Sequence, residues 1–181
     1  MKNLQQLPSS QIERVLSLRK SLTKLGAGGF FDSVEDTDWK ILEETKGFPS
    51  WLAFAMPMET FWITIDRRSI LLIYSLESFL SDMSNMEYTQ LFSTFYYPIA
   101  STIGGCLLAV EGTSNDDFTI VSISWEAQCY CTNSPTYEIA HHLKEDYQGL
   151  LDLYISEPAA SDNTWEWLIG DKGLSWHELQ A

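Results

Sequence analysis

The sequence predicts an α+β fold, a twisted and mainly antiparallel sheet flanked by helices, on three observations. Strand-type runs cluster between Phe61 and Trp125, helical stripes lie on either side of them, and a composition that is 45% hydrophobic and 13% aromatic supplies apolar area for one core. A chain of 181 residues removes roughly 70% of its unfolded surface from water, so it needs no metal or disulfide staple. The expected domain covers residues 8–157, and residues 158–181 run past it as an extension.

The first helix is expected to start at the capping box Ser10-Gln-Ile-Glu13. Val15, Leu18, Leu22 and Leu25 then recur at helical spacing, and Gly26 closes it. Ser33-Val-Glu-Asp36 reads as a second box-like start, for a helix that carries Trp39, Ile41 and Leu42 and stops at Gly47. In Phe48-Pro49-Ser50-Trp51-Leu52-Ala53-Phe54, the proline suits a first helical position, so a short helix runs through Ala55.

From Phe61 the period changes. Phe61–Ile65 and Ser69–Tyr74 read as strands around the turn Asp66-Arg-Arg, and Ser75–Leu80 as a capped helical turn. Tyr97 to Trp125 holds two apolar, β-branched stretches joined by the polar turn Gly112–Asp117. These predict a central hairpin over residues 103–125, with Cys106, Leu108, Val121 and Ile123 in the core. Tyr137–Ile155, with Ile139, Leu143, Tyr147, Leu150, Leu151 and Tyr154 on one stripe, reads as a closing helix. Trp62 beside Arg67 and Arg68, and Trp125 beside Glu126, read as core aromatics next to charged strand ends. No repeat or low-complexity segment interrupts this order.

Charge is unevenly divided. Residues 1–68 hold nine Lys/Arg and nine Asp/Glu, while residues 69–181 hold two and sixteen, so the whole excess of −14 is C-terminal. Such a surface repels phosphate backbones and anionic membranes and attracts a basic protein. The plain alternative is that the acids keep the chain soluble. At the tip of the expected hairpin and just beyond it, Glu111, Asp116, Asp117 and Glu126 are the candidate partner-binding residues, because a tip is exposed and its charge costs little in the free protein. Apolar runs fall short of a membrane span: Ile70–Tyr74 is bounded by Arg67 and Arg68 before it and Glu77 after it. The polar start Met1–Gln6 lacks the apolar core of a secretion signal, and a cytoplasmic location is expected.

Enzyme signatures are missing from the sequence. It contains no Gly-x-Ser-x-Gly elbow, phosphate loop, dinucleotide fingerprint or His-Glu-x-x-His, and Gly26-Ala-Gly-Gly29 reads as a helix stop followed by a loop. His141 and His142 each have a carboxylate one helical turn away, Glu145 and Glu138. This spacing suits either an acid–base pair or a solvated helix face, and the sequence places no nucleophile beside it. Cys129 and Cys131 flank Tyr130 but lack the second ligand pair that a structural zinc site needs, and Cys106 lies within an apolar run. The acidic turn Glu111–Asp117 does not follow the ligand spacing of an EF-hand calcium loop. The expectation is no catalytic residue, no metal and no cofactor.

Phe48-Pro49-x-x-Leu52, Ser75-Leu76-Glu77-Ser78-Phe79-Leu80, Pro98-Ile99-Ala100, Gly104-Gly105, Trp125 and Ile139-Ala140 occur in one order over about residues 10–156. In this order and spacing the chain resembles the SUKH superfamily, whose members include bacterial toxin-immunity proteins, the Syd protein and fungal cell-wall assembly regulators. Met56-Pro-Met-Glu59 stands where the family often has an Asn-Gly-Gly turn. The resemblance implies a SUKH-like fold and a protein-binding role, as an immunity protein that neutralises a toxin by occlusion or as an intracellular scaffold. A rival from another class is an enzyme with a site near His141 and Glu145. Beyond the family's usual end, Trp165, Trp167 and Trp176 lie among Asp162, Glu166, Asp171 and Glu178. So much apolar area in so short a piece is expected to pack on the domain or on a partner.

Overall fold

The computed structural model describes residues 1–45, 47–65, 68–84, 96–102, 107–111, 119–123 and 139–146, together with residues 148, 151, 152 and 155. Helices α1 (Ser9–Lys24), α2 (Asp36–Glu44) and α3 (Leu76–Ser84) accompany a small sheet and a large one, as the α+β expectation requires. The small sheet pairs β1 (Lys2–Asn3) with β2 (Ser33–Val34). The large sheet has six strands in the order β3 (Phe61–Ile65), β4 (Arg68–Ile73), β5 (Tyr96–Thr102), β6 (Leu107–Glu111), β7 (Thr119–Ile123) and β8 (Ile139–Asp146). Each neighbouring pair is antiparallel. Spatial order follows chain order, which makes the sheet a meander.

α1 begins at Ser9, behind Pro8, so Ser10 already lies inside the helix and its expected box does not form. The carbonyl of Pro8 instead accepts from the amides of Gln11 and Ile12, at 2.9 and 3.0 Å. A capping box forms upstream, around the 3-10 turn Leu4–Gln6. There Asn3 Oδ1 accepts from the Gln5 amide and Gln6 Oε1 from the Asn3 amide, both at 2.9 Å. At the other end of α1, Gly26 takes φ +114°. Its amide donates to Thr23 O and that of Ala27 to Leu22 O, the paired bonds of a Schellman stop.

Ser33 does not cap α2, because Ser33–Val34 is spent on pairing with β1. Glu35 precedes the helix, and Asp36 and Asp38 in the first turn face the positive end of its dipole. Trp39 and Leu42 are buried while Ile41 is exposed, so the expected stripe is narrower than its apolar residues suggest. Pro49 leads a 3-10 helix, Ser50–Ala55, and Trp51 to Ala55 are all buried. In β3 the side chains alternate between faces: Ile63 enters the core, and Trp62 is 43% exposed on the opposite side. Trp62 is therefore a surface aromatic and not the core residue expected.

Two strand assignments change. Tyr96–Glu111 forms β5 and β6, and not one long stretch, since sixteen extended residues would reach roughly 50 Å, well beyond an ordinary strand. β6 and β7 still pair directly, and each has a second neighbour, so the hairpin is interior to the sheet. Leu108 is buried as expected, Val121 and Ile123 register with Ala109 and Leu107, and Cys106 lies outside the described residues. The expected helix over 137–155 is the larger correction. Residues Ile139–Asp146 are strand β8 on the edge of β7, and the described residues that follow in this span, 148, 151, 152 and 155, are helical. The open ladder of β7 offers hydrogen bonds that local helical periodicity does not register.

One core joins these parts. Ile63, Leu71, Ile73, Ala100, Leu108 and Val110 of the sheet share a cluster with Val15, Leu18 and Leu22 of α1, the 3-10 helix, Phe79 of α3 and Leu151. Phe48 stacks on Phe79 with centroids 4.6 Å apart and meets Tyr97 edge-on at 5.6 Å. Leu4 belongs to the same cluster, so packing begins before residue 8. The extension at 158–181 lies outside the described residues.

Two outcomes follow from this packing. An added Cβ meets nothing within 4 Å at either Gly26 or Gly28, but only Gly26 has a positive φ. Gly26→Ala should therefore cost about 1–2 kcal/mol and Gly28→Ala little; equal urea midpoints for the two variants would show that the backbone conformation of Gly26 does not matter. Leu151 has 0% exposure, so Leu151→Ala should cost about 2–5 kcal/mol, as for any central leucine. A loss below about 1 kcal/mol, within the range of surface substitutions, would mean that the C-terminal helical residues are not part of the core.

Candidate functional site

Of the four expected acidic residues, the register of the sheet places Glu111. Glu111 ends β6 opposite Tyr96, the first residue of β5. Thr119 opens β7 and pairs with Asp146, the last residue of β8. One end of the sheet thus carries Glu111, both ends of the 112–118 connection, and Asp146. With strands about 4.8 Å apart, the backbones of β6 and β8 are roughly 10 Å from each other there. Asp116 and Asp117 belong to that connection and lie outside the described residues. Glu126 also lies outside them, and it follows Ile123, which ends β7 at the opposite end of the sheet. Asp146 was not foreseen as part of this group, because a helix over 137–155 would have carried it away from the hairpin.

The histidine alternative loses its geometric basis. His142 registers with Val121 and His141 with Ser122 on β8. Four residues along a strand span roughly 13 Å, against about 6 Å on a helix, so the one-turn pairing of His141 with Glu145 does not exist. Glu138 lies outside the described residues. Among the described residues no group of three or more His, Cys, Asp or Glu is arranged to hold a metal ion. Cys106, Cys129 and Cys131 lie outside them.

Two polar clusters in the described fold are internally occupied. Arg19, largely buried on α1, donates from Nε to Phe54 O at 2.7 Å and from one terminal nitrogen to Asp32 Oδ1 at 2.9 Å. Its other terminal nitrogen donates to Phe31 O, and the guanidinium lies 5.5 Å from the centroid of the Phe30 ring. The fork thereby ties α1 to the 30–32 loop and to the end of the 3-10 helix. Ser21, buried on α1, donates to Asp152 Oδ1 at 3.0 Å, while Gln148 Nε2 donates to Ser21 Oγ at 2.7 Å and to Asp152 at 2.9 Å. This clasp fastens the C-terminal helical residues to α1, beside Leu151.

Burial raises the Asp82 carboxyl above its ordinary value and likewise raises the Tyr97 phenol. Tyr97 lies one residue in from the end of the sheet that carries Glu111, opposite Val110. Among the described residues no helix is long and apolar enough to cross a membrane. Comparison with protein-family models, with curated proteins and with solved structures found no match.

Arg19→Lys, which loses the fork, should destabilise the fold by about 1–3 kcal/mol. Asp32 is 87% exposed, so Asp32→Asn should cost less than about 1 kcal/mol; equal losses in chemical denaturation would show that the ion pair, and not the two carbonyl bonds, fastens the loop. For Asp82, the folded chain binds the proton more tightly than the unfolded one. Stability present below the ordinary value of 3.8 is therefore lost as pH rises from there through the raised folded value. Asp82→Asn should unfold later than the parent above that window and lose its advantage below it. A difference that does not change with pH would contradict burial as the cause.

Proposed function

We propose that this chain is a cytoplasmic protein-binding module of SUKH-like fold that neutralises a basic bacterial toxin domain by covering its working surface, and that it performs no chemistry itself. The observation that carries this reading is the separation of charge. The whole net −14 arises in residues 69–181, and the sheet register sets Glu111 and Asp146 at the same end as the 112–118 connection with its Asp116 and Asp117. Domains that attack nucleic acids carry Lys/Arg to bind phosphate, so an acidic end complements them and speeds encounter.

The order of elements as far as β5 supports the family resemblance, whereas Ile139-Ala140 opens strand β8 and not the closing helix expected there. A long first helix, a Pro49-led short helix, a strand pair, a helix opening on Ser75-Leu76-Glu77 and a strand containing Pro98-Ile99-Ala100 succeed one another. Ser75 Oγ accepts from the Ser78 amide at 3.2 Å, as a cap at that place should.

The test is capture of partners from the source cells, followed by co-expression. A single basic protein, toxic when expressed alone and harmless beside this chain, is the expected result. Several weak partners without toxicity would replace immunity by a scaffolding role. With that partner in hand, Asp116→Asn/Asp117→Asn should slow association several-fold at low salt and flatten its salt dependence, with little change in folding stability. Identical rates for parent and variant, both insensitive to salt, would leave the acids with a solubility role only.

A further inference from the structure

We draw no further inference here: the strongest candidate, the outer edge of β3 with the exposed Trp62 and Met58 beside it, is an apolar surface without a partner among the described residues, and nothing in the structure shows what covers it.

Discussion

The fold depends on burying one face of a meander sheet beneath a layer whose central piece, Trp51 to Ala55, is itself wholly buried. A 3-10 helix in that position leaves carbonyls at its end that the core cannot hydrate, and each would cost about 1–3 kcal/mol if left unmade. Arg19 removes that difficulty for Phe54 by donating Nε to its carbonyl, while its remaining nitrogens hold the 30–32 loop. The charge is tolerated because it is divided among three acceptors and an aromatic face. With that junction satisfied, α1 can press Val15, Leu18 and Leu22 onto the same cluster that receives Ile63, Ile73 and Leu108 from the sheet.

Elements whose signal is local were legible in the residues. The stripe of α1, the glycine stop at Gly26, the Pro49-led turn, the strands β3 and β4 and the Ser75 cap all depend on neighbours within a few positions, and all occur close to where they were expected. Two of the failures share a cause. Ser33 as a cap and Ile139–Asp146 as a helix were both displaced by strand pairing, with Lys2–Asn3 in one case and β7 in the other. Strand pairing is a long-range choice, and an apolar stripe such as Ile139, Leu143, Tyr147 carries no mark of the open edge that will claim it. The reversal between β5 and β6 had a signal, Gly104-Gly105, but the apolar continuity of Tyr97 to Val110 obscured it.

The candidate site was legible at the level of composition and only partly at the level of residues. The asymmetry of charge is visible by counting, and Glu111 could be placed because a hairpin's register follows from its two strands. Asp146 could not, because its position beside Thr119 exists only once β8 is a strand. The same change that brings Asp146 to the acidic end dissolves the supposed helical pairing of His141 with Glu145, so one misread element had hidden a member of one candidate site and created the appearance of another.

Charge and packing are also divided along the chain, and the division bears on how the two coexist. A net −14 opposes compaction through self-repulsion, yet the described core draws most of its large side chains from α1, α2, the 3-10 helix, β3, β4 and α3, in or next to the part of the chain where charges balance. The acidic part enters that core through Leu71 and Ile73 of β4, Leu76 and Phe79 of α3, β5, β6 and Leu151, and its C-terminal helical residues are fastened to α1 by hydrogen bonds that the uncharged side chains of Ser21 and Gln148 donate to Asp152. Screening by salt therefore acts in opposite directions on the two tasks: it relieves the repulsion that the fold must withstand, and it weakens the long-range attraction that the proposed docking would use. A chain arranged in this way can carry a large net charge because the residues that hold it folded are mostly not the residues that carry the charge.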